Sequence, residues 1–431
     1  MERLPGFRDF YPEPLPDRDA WSADLRHHIF AAWRNTARRY GFREYDGPPL
    51  EPLDLYTVKS GAEIVGQLYH FTDKGGRDVA LRPEMTPTLA RMAAAHDRHY
   101  RKPLKWFAIP QLFRYERQQK GRLREHFQFN ADLIGEADPA GDAELIALLI
   151  DSLRALGLTA DDFVVRLSSR NAWQAFFEQH ARPGATPYDF YQAIDKLERD
   201  PPEATQARLD AVGIPLDAVR HFIDSGQPTP ELARILAELG ARGLAPFVRV
   251  DYGVIRGLAY YTGPVFEAFD RHGKFRALAG GGRYDDLIKR LSNGRVDLPA
   301  LGFGMGDVVL AELLKDRRLR PDRFAQLDAF LLIEDESLRP DSLQLLQTLR
   351  EAGLAVDYPL VAAKSDKQFK RALDLGTVHT VRLERTPEGQ VHARVKHLAS
   401  RSELVSPLAE VARHLRSEPA APAPAPASPA A

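Results

Sequence analysis

Cysteine is absent from the 431 residues. Disulfides, a thiolate nucleophile and Cys-based zinc or iron–sulfur sites are thereby excluded. No apolar run approaches the roughly 18 residues that a membrane-spanning helix needs, so no membrane partner is expected. The opening MERLPGFRDFYPEP mixes charges with prolines and carries no apolar stretch of the kind a secretory signal has; a cytoplasmic protein is expected. Net charge is also scarce. The 59 Lys+Arg nearly cancel the 60 Asp+Glu, leaving −1, which argues against a wholly basic nucleic-acid surface but not against a local basic patch. The 13 His show no metal-ligand spacing, no Ser-His-Asp order stands out, and metal ligands stay unknown. What remains is ordinary globular material, 44% hydrophobic and 28% charged, long enough for about three domains at roughly 150 residues each.

Hydrophobic spacing outlines the organisation. Trp21, Leu25, Ile29, Phe30, Trp33 and Ala37 recur at helical steps between Asp17 and Tyr40, and Gly41 is a stop signal. Phe42 to Asp46 alternates like a strand that Pro48-Pro49 cuts off. Tyr69-His70-Phe71 and Val79-Ala80-Leu81 flank a turn at Asp73-Lys74-Gly75-Gly76, which predicts a hairpin. A helix is expected to start near Thr86 or Pro87. Strands are expected over Trp106–Ile109 and Phe127–Ile134, and a strongly apolar helix over Asp142–Leu156. Residues 171–245 read as an inserted helical domain. Strand signals return at Phe247–Val250 and continue through Tyr260-Tyr261 and Val265–Phe269. From Leu327 strands and helices alternate, which predicts a small α/β domain with a mainly parallel sheet. The last 15 residues, from Ser417, hold seven Ala and five Pro and cannot build a core.

Three clusters could carry chemistry. Residues 101–125 contain eight Lys/Arg and two Asp/Glu, a local charge of +6, centred on Arg114 to Glu125. A basic loop between two strands can gather cations around a polyanion, and the planar Arg fork suits phosphate oxygens; on charge alone, a solvated basic hairpin fits equally well. The second cluster, Arg256 to Gly263, sets an Arg in an apolar stretch where burial needs an anion, beside paired tyrosines whose hydroxyls fall on opposite faces of a strand. The third, Ala279-Gly280-Gly281-Gly282-Arg283-Tyr284-Asp285, lets a ligand approach the backbone, although such a run is more often a plain turn.

Together, and in order, these clusters resemble the histidyl-tRNA synthetases among class II aminoacyl-tRNA synthetases. Phe113 to Arg122 resembles motif 2, and Leu81-Arg82-Pro83-Glu84-Met85-Thr86 the amino-acid-binding segment. RGLAYYTGPVFEAF (256–269) is similar to the histidine signature. AGGGRYDDL (279–287) is similar to the glycine-rich strand flooring the histidine pocket. GFGMGDVVL (302–310) stands where motif 3 belongs, and the first helix, strand and Pro48-Pro49 fit motif 1. The match spans residues 1 to about 416.

The resemblance implies an α+β fold, an antiparallel class II catalytic sheet with flanking helices. The core would comprise 1–170 and 246–325, interrupted by the helical insertion at 171–245. A C-terminal α/β anticodon-binding domain would occupy 327–416, followed by a disordered tail at 417–431. It implies a homodimer that activates L-histidine with ATP, accompanied by Mg2+, and transfers it to histidine tRNA. Arg114 and Arg256 would act at the α-phosphate. Glu116, Arg122 and Arg283 would join Arg114 in binding ATP. Glu84, Thr86 and Gln128 would hold the substrate ammonium, while Asp132 and Tyr261, with Tyr260 adjacent, would meet the imidazole nitrogens. Lys364, Lys367, Lys370 and Arg371 could meet tRNA phosphates, although a solvated helix face is the blander reading. Four departures stand out: Val309 where motif 3 has Arg, Val308 where it has Glu, Ala259 where the signature has Asp, and Asp132 where a Glu is usual. Residues 125–128 also read Glu-His-Phe-Gln in place of Glu-Phe-His-Gln. The lost motif 3 cation supplies an alternative: a non-catalytic regulatory subunit of ATP phosphoribosyltransferase.

Overall fold

The computed structural model describes residues 2–60, 62–115, 123–194, 197, 201–255, 261–321 and 327–417. The chain forms two compact units, Met1–Arg320 and a second from Pro321 onward.

The first unit is built on a nine-stranded sheet. Its order is Val248–Val250, Phe163–Ser169, Pro264–Asp270, Ala279–Arg283, Ala300–Gly306, Glu125–Ile134, Leu104–Ala108 and Arg43–Glu44, with Gln111–Phe113 pairing the start of Glu125–Ile134. All neighbours are antiparallel except the pairs at the two margins, Phe163–Ser169 with Val248–Val250 and Arg43–Glu44 with Leu104–Ala108. The central strand Glu125–Ile134 shows how the sequence produces two faces, because successive side chains point to opposite sides. Phe129 belongs to the face away from the cavity, is fully buried and stacks on Trp33 at 5.6 Å between ring centres. Burying each such ring stabilises the fold by roughly 1.5–3 kcal/mol. Gln128, Asn130 and Asp132 take the other face and line a cavity.

Trp33 comes from the helix Ala23–Arg39, which buries Leu25, Ile29, Phe30 and Ala37 along the same stripe. The helix begins six residues later than the spacing suggests. Ser22 accepts the Leu25 amide with its side chain and caps the helix, while Trp21-Ser22 pairs with Phe10-Tyr11 as a short strand. Gly41 ends the segment at φ +78°, a left-handed conformation that costs glycine little. The hairpin is present: His70–Thr72 pairs antiparallel with Asp78–Leu81. Thr86–Ala95 is a helix with proline in its first turn. Between Phe163–Ser169 and Val248–Val250 the chain runs through helices Arg170–His180, Pro187–Ile194, Pro202–Val212, Leu216–Ser225 and Pro230–Ala241.

One expectation needs correction here. Tyr261 is not in a strand; it precedes the strand Pro264–Asp270, and Tyr260 lies outside the described residues. The Gly280–Gly282 run is a strand, as the resemblance implies, and not the plain turn that such a run more often is. A side chain on Gly281 would run into the Gly302 carbonyl, and one on Gly282 would sit 2.8 Å from the Pro264 carbonyl. These glycines therefore let strands pack closely.

The second unit carries a five-stranded sheet in the order Val356–Asp357, Ala329–Leu332, His379–Arg385, Val391–His397, Glu403–Ser406. The first three strands are parallel and the last two run antiparallel, so the sheet is mixed, not mainly parallel. The hairpin after Arg385 was hidden because its outward positions are charged. Arg382, Glu384, Arg394, Lys396 and Glu403 form one ion-pair network there. No described helix is long and apolar enough to cross a membrane.

Candidate active site

A cavity of about 110 Å³ that opens to solvent lies on one face of the central sheet. Glu84, Thr86, Arg114, Gln128, Asp132 and Tyr261, which the sequence nominates from four separate stretches, all line it. Arg283 does not. Arg256, Glu116, Arg122 and Tyr260 lie outside the described residues.

Each lining residue has a structural reason for its position. The turn carrying Glu84 and Thr86 is held by buried Arg82, whose guanidinium donates to the Gly47 carbonyl at 2.7 Å and the Gln111 carbonyl at 3.1 Å. Arg114 Nε donates to the Pro83 carbonyl at 3.1 Å, tying the end of its strand to that same turn. Gln128, Asn130 and Asp132 share the cavity face because they alternate along one strand.

The strand opposite provides their room. Gly302, Gly304 and Gly306 pair with Asp132, Asn130 and Gln128. A Cβ on Gly302 would collide with the Asp132 carboxylate, and one on Gly304 would come within 2.6 Å of the Gln128 amide carbon. Asn130, Tyr284, Gly302 and Gly304 were missed by the sequence reading. The signal existed in Gly-Phe-Gly-Met-Gly, where glycine at every second position empties one face of a strand.

Electrostatics sharpen the site. Asp132 is 3% exposed and accepts a hydrogen bond from the Tyr284 hydroxyl. Burial, together with the Asp132 charge, raises the Tyr45 phenol well above its ordinary value. His126 is pushed down to about 3 by burial and by the Arg114 and Arg8 charges, so it stays neutral beside Arg114.

Near the motif 3 segment, Asp307 opens the helix Asp307–Asp316 and is buried against Arg8, with Arg8 Nη1 to Asp307 Oδ2 at 2.9 Å. The Phe127 amide donates to it as well. Val308 is buried and Val309 half-buried; neither lines the cavity. Arg283 is 5% exposed and bonds to Asp142 and to the Glu136 and Asp138 carbonyls, a set of partners quite different from nucleotide phosphates. Burial lifts Asp142 to about 6 against the pull of that guanidinium. Among the described residues no three His, Asp or Glu side chains gather to hold a metal ion.

Comparison with known proteins agrees with this geometry. The family model described as "Histidyl-tRNA synthetase" matches residues 14–307. The histidine–tRNA ligase of Opitutus terrae is 47% identical over 400 residues, covering 87% of this chain and 89% of that protein. The chloroplastic/mitochondrial histidine–tRNA ligase of Arabidopsis thaliana is 36% identical, covering 92% and 82%. In fold, the crystal structure of histidyl-tRNA synthetase from Nostoc is similar with a TM-score of 0.75 at 21% identity, covering 94% of this chain and 97% of that one. A cavity assembled from the stretches that carry the motifs, and relatives matched over most of their length, lead to one conclusion: the chain belongs to the histidyl-tRNA synthetase family.

Proposed function

We propose that this chain is a histidine–tRNA ligase, which activates L-histidine with ATP to histidyl-adenylate and transfers the histidyl group to the 3′ end of histidine tRNA. The observation that carries the reading is the convergence of Glu84, Thr86, Arg114, Gln128, Asp132 and Tyr261 on one cavity. The ligase names of relatives matched over most of their length support it.

In this reading Glu84, Thr86 and Gln128 receive the ammonium group. Asp132 and Tyr261 meet the two imidazole nitrogens, with Tyr260 beside them. A site that satisfies both nitrogens rejects isosteres strongly, because an unmatched buried polar group is penalised. A carboxylate oxygen of histidine attacks the α-phosphorus, and the bond to pyrophosphate breaks. Arg114, joined by Arg256, neutralises the charge that builds on the phosphate oxygens, while Glu116 and Arg122 hold the rest of the nucleotide. A ribose hydroxyl of the tRNA then attacks the acyl carbon and AMP leaves. Mg2+ arrives with ATP as part of the substrate. Residues 327–416 bind the anticodon side of the tRNA, and the enzyme works as a cytoplasmic homodimer. ATP binding proceeds without the motif 3 arginine, and Arg283 does not substitute for it.

Histidine-dependent ATP–pyrophosphate exchange tests the reading. Wild type is expected to exchange, and Arg114→Ala to lose about 10²–10³ in kcat, as when one preorganised donor is removed. Histidine binding without any exchange would instead favour the regulatory-subunit reading that Val309 invites.

A further inference from the structure

We propose that Arg283 is a positioning residue for histidine, through which the helix Pro230–Ala241 outside the central sheet holds the imidazole slot in shape. The inference rests on the ligase reading of the cavity.

Arg283 is the last residue of the strand Ala279–Arg283, directly before Tyr284. Its guanidinium Nη1 donates to the Glu136 carbonyl at 2.8 Å and to Asp285 at 3.5 Å, and its Nη2 to the Asp138 carbonyl at 3.3 Å and to Asp142. Five planar donors in a fixed fork can serve several such acceptors at once; an ammonium cannot reproduce that geometry. The two carbonyls lie just beyond the strand Glu125–Ile134, which carries Asp132, and Asp142 lies in the helix Pro139–Arg154 that follows. The guanidinium thus pins the ends of two sheet strands together.

Two cavity groups hang from this clamp. Tyr284, the next residue, reaches into the cavity and donates to Asp132, while its amide donates to the Ala300 carbonyl at 2.7 Å. On the other side, the Thr262 amide donates to the Arg283 carbonyl at 2.8 Å, and the Thr262 hydroxyl donates to Asp285 at 3.0 Å. Tyr261, which lines the cavity, immediately precedes Thr262. Tyr284, which holds Asp132, thus directly follows the clamped residue, and Tyr261 precedes Thr262, whose amide bonds the main chain of that same residue.

The helix Pro230–Ala241 grips the same clamp from outside. Arg234 donates to Asp138 at 2.9 Å, the residue whose carbonyl Arg283 uses. Glu231 lies beside Gly263, where a Cβ would stand 3.7 Å from its carboxylate and 3.2 Å from the Arg283 side chain. Neither Arg234 nor Glu231 lines the cavity.

Steady-state exchange kinetics and direct histidine binding by calorimetry, on the full chain, test the proposal. Arg283→Met is expected to raise the KM for histidine by between about tenfold and a hundredfold, as a small misplacement of binding groups does, and to leave the KM for ATP unchanged. Arg283→Lys keeps the charge without the fork and should recover only part of the loss. Tyr284→Phe should show the same KM split, and the double variant Arg283→Met/Tyr284→Phe should lose less than the product of the two single losses, because both act through Asp132. Arg234→Ala changes a half-exposed side chain and guards against misfolding of the buried variants; a severalfold rise in histidine KM is expected. A rise in the KM for ATP with that for histidine unchanged would return Arg283 to the nucleotide and overturn the proposal. So would multiplicative losses in the double variant, or an Arg234→Ala protein with wild-type kinetics. Should wild type bind histidine yet fail to exchange, the ligase reading falls, and calorimetry on the same variants still decides the role of Arg283.

Discussion

Arg8 and Arg283 are buried guanidinium groups at opposite ends of the strand Glu125–Ile134, and they are satisfied in different ways. Arg8 meets carboxylates: Nε to Glu125 at 2.6 Å and Nη1 to Asp307 at 2.9 Å, with Phe10 and Trp21 rings within 5 Å of its charge. Arg283 meets two backbone carbonyls, the buried Asp142 carboxylate and, at 3.5 Å, Asp285. The first clamp joins the strand to the helix Asp307–Asp316 by compensating charge, so it bears mainly on stability. The second holds main-chain positions beside the cavity, so it bears mainly on geometry. A buried ion pair contributes little net stability against an apolar replacement of both partners. Removing one partner is a different matter, since an uncompensated charge stays behind.

That contrast can be broken in several ways. The largest effect is expected from Arg8→Met, which strands Glu125 and Asp307 together without a cation. Destabilisation of about 3–5 kcal/mol is expected in urea unfolding. A cost as small as that of a surface pair would erase the difference between the clamps.

Next comes acid pH. The His126 imidazole has its pKa near 3 in the folded chain and an ordinary value of 6.5 when unfolded, so between those limits the unfolded chain binds the proton first. Its contribution to stability is therefore intact above about pH 6.5 and declines as pH falls toward 3. His126→Phe should flatten that part of the stability curve relative to wild type, an effect of up to a few kcal/mol at the acid end. Parallel curves for the two proteins would mean that burial, with the Arg114 and Arg8 charges, does not hold the imidazole neutral as described.

The smallest effect is expected in the second unit. Glu384 is held down to about 2, first by its hydrogen bond from Arg394 and against the opposing effect of burial, with Arg382 and His392 adding to the pull. Its contribution is present above the ordinary carboxylate range and is lost as pH falls through about 2. Because the network is solvent-accessible, Glu384→Gln should cost under about 1 kcal/mol at neutral pH, with salt reducing the difference. A loss matching that of Arg8→Met would show that burial is not what separates the clamps from the surface network.

The residues that line the cavity were legible in the sequence where a side chain itself carries the chemistry. Glu84, Thr86, Arg114, Gln128, Asp132 and Tyr261 are polar groups in recognisable strings, and Gln128 and Asp132 both fall in the strand expected over Phe127–Ile134. What escaped notice depends on contacts between distant segments. The partners of Arg283, among them Asp142 and the Glu136 and Asp138 carbonyls, come from a distant stretch, and nothing local in the sequence reveals them. Asp307 carries no role in the sequence reading, because its partners, Arg8 and the Phe127 amide, come from distant segments. The antiparallel end of the second sheet was obscured because charged residues cover the outer face of its hairpin.

The alternating glycines of the strand Ala300–Gly306 set a one-way limit on redesign. Beneath Asp132 and Gln128 that strand presents main chain alone, so no further truncation there can widen the slot. A bulkier amino acid can be admitted only by shortening residues on the facing strand, which are the same ones that would recognise the ligand. Enlarging this site and keeping its selectivity are thus opposed by construction.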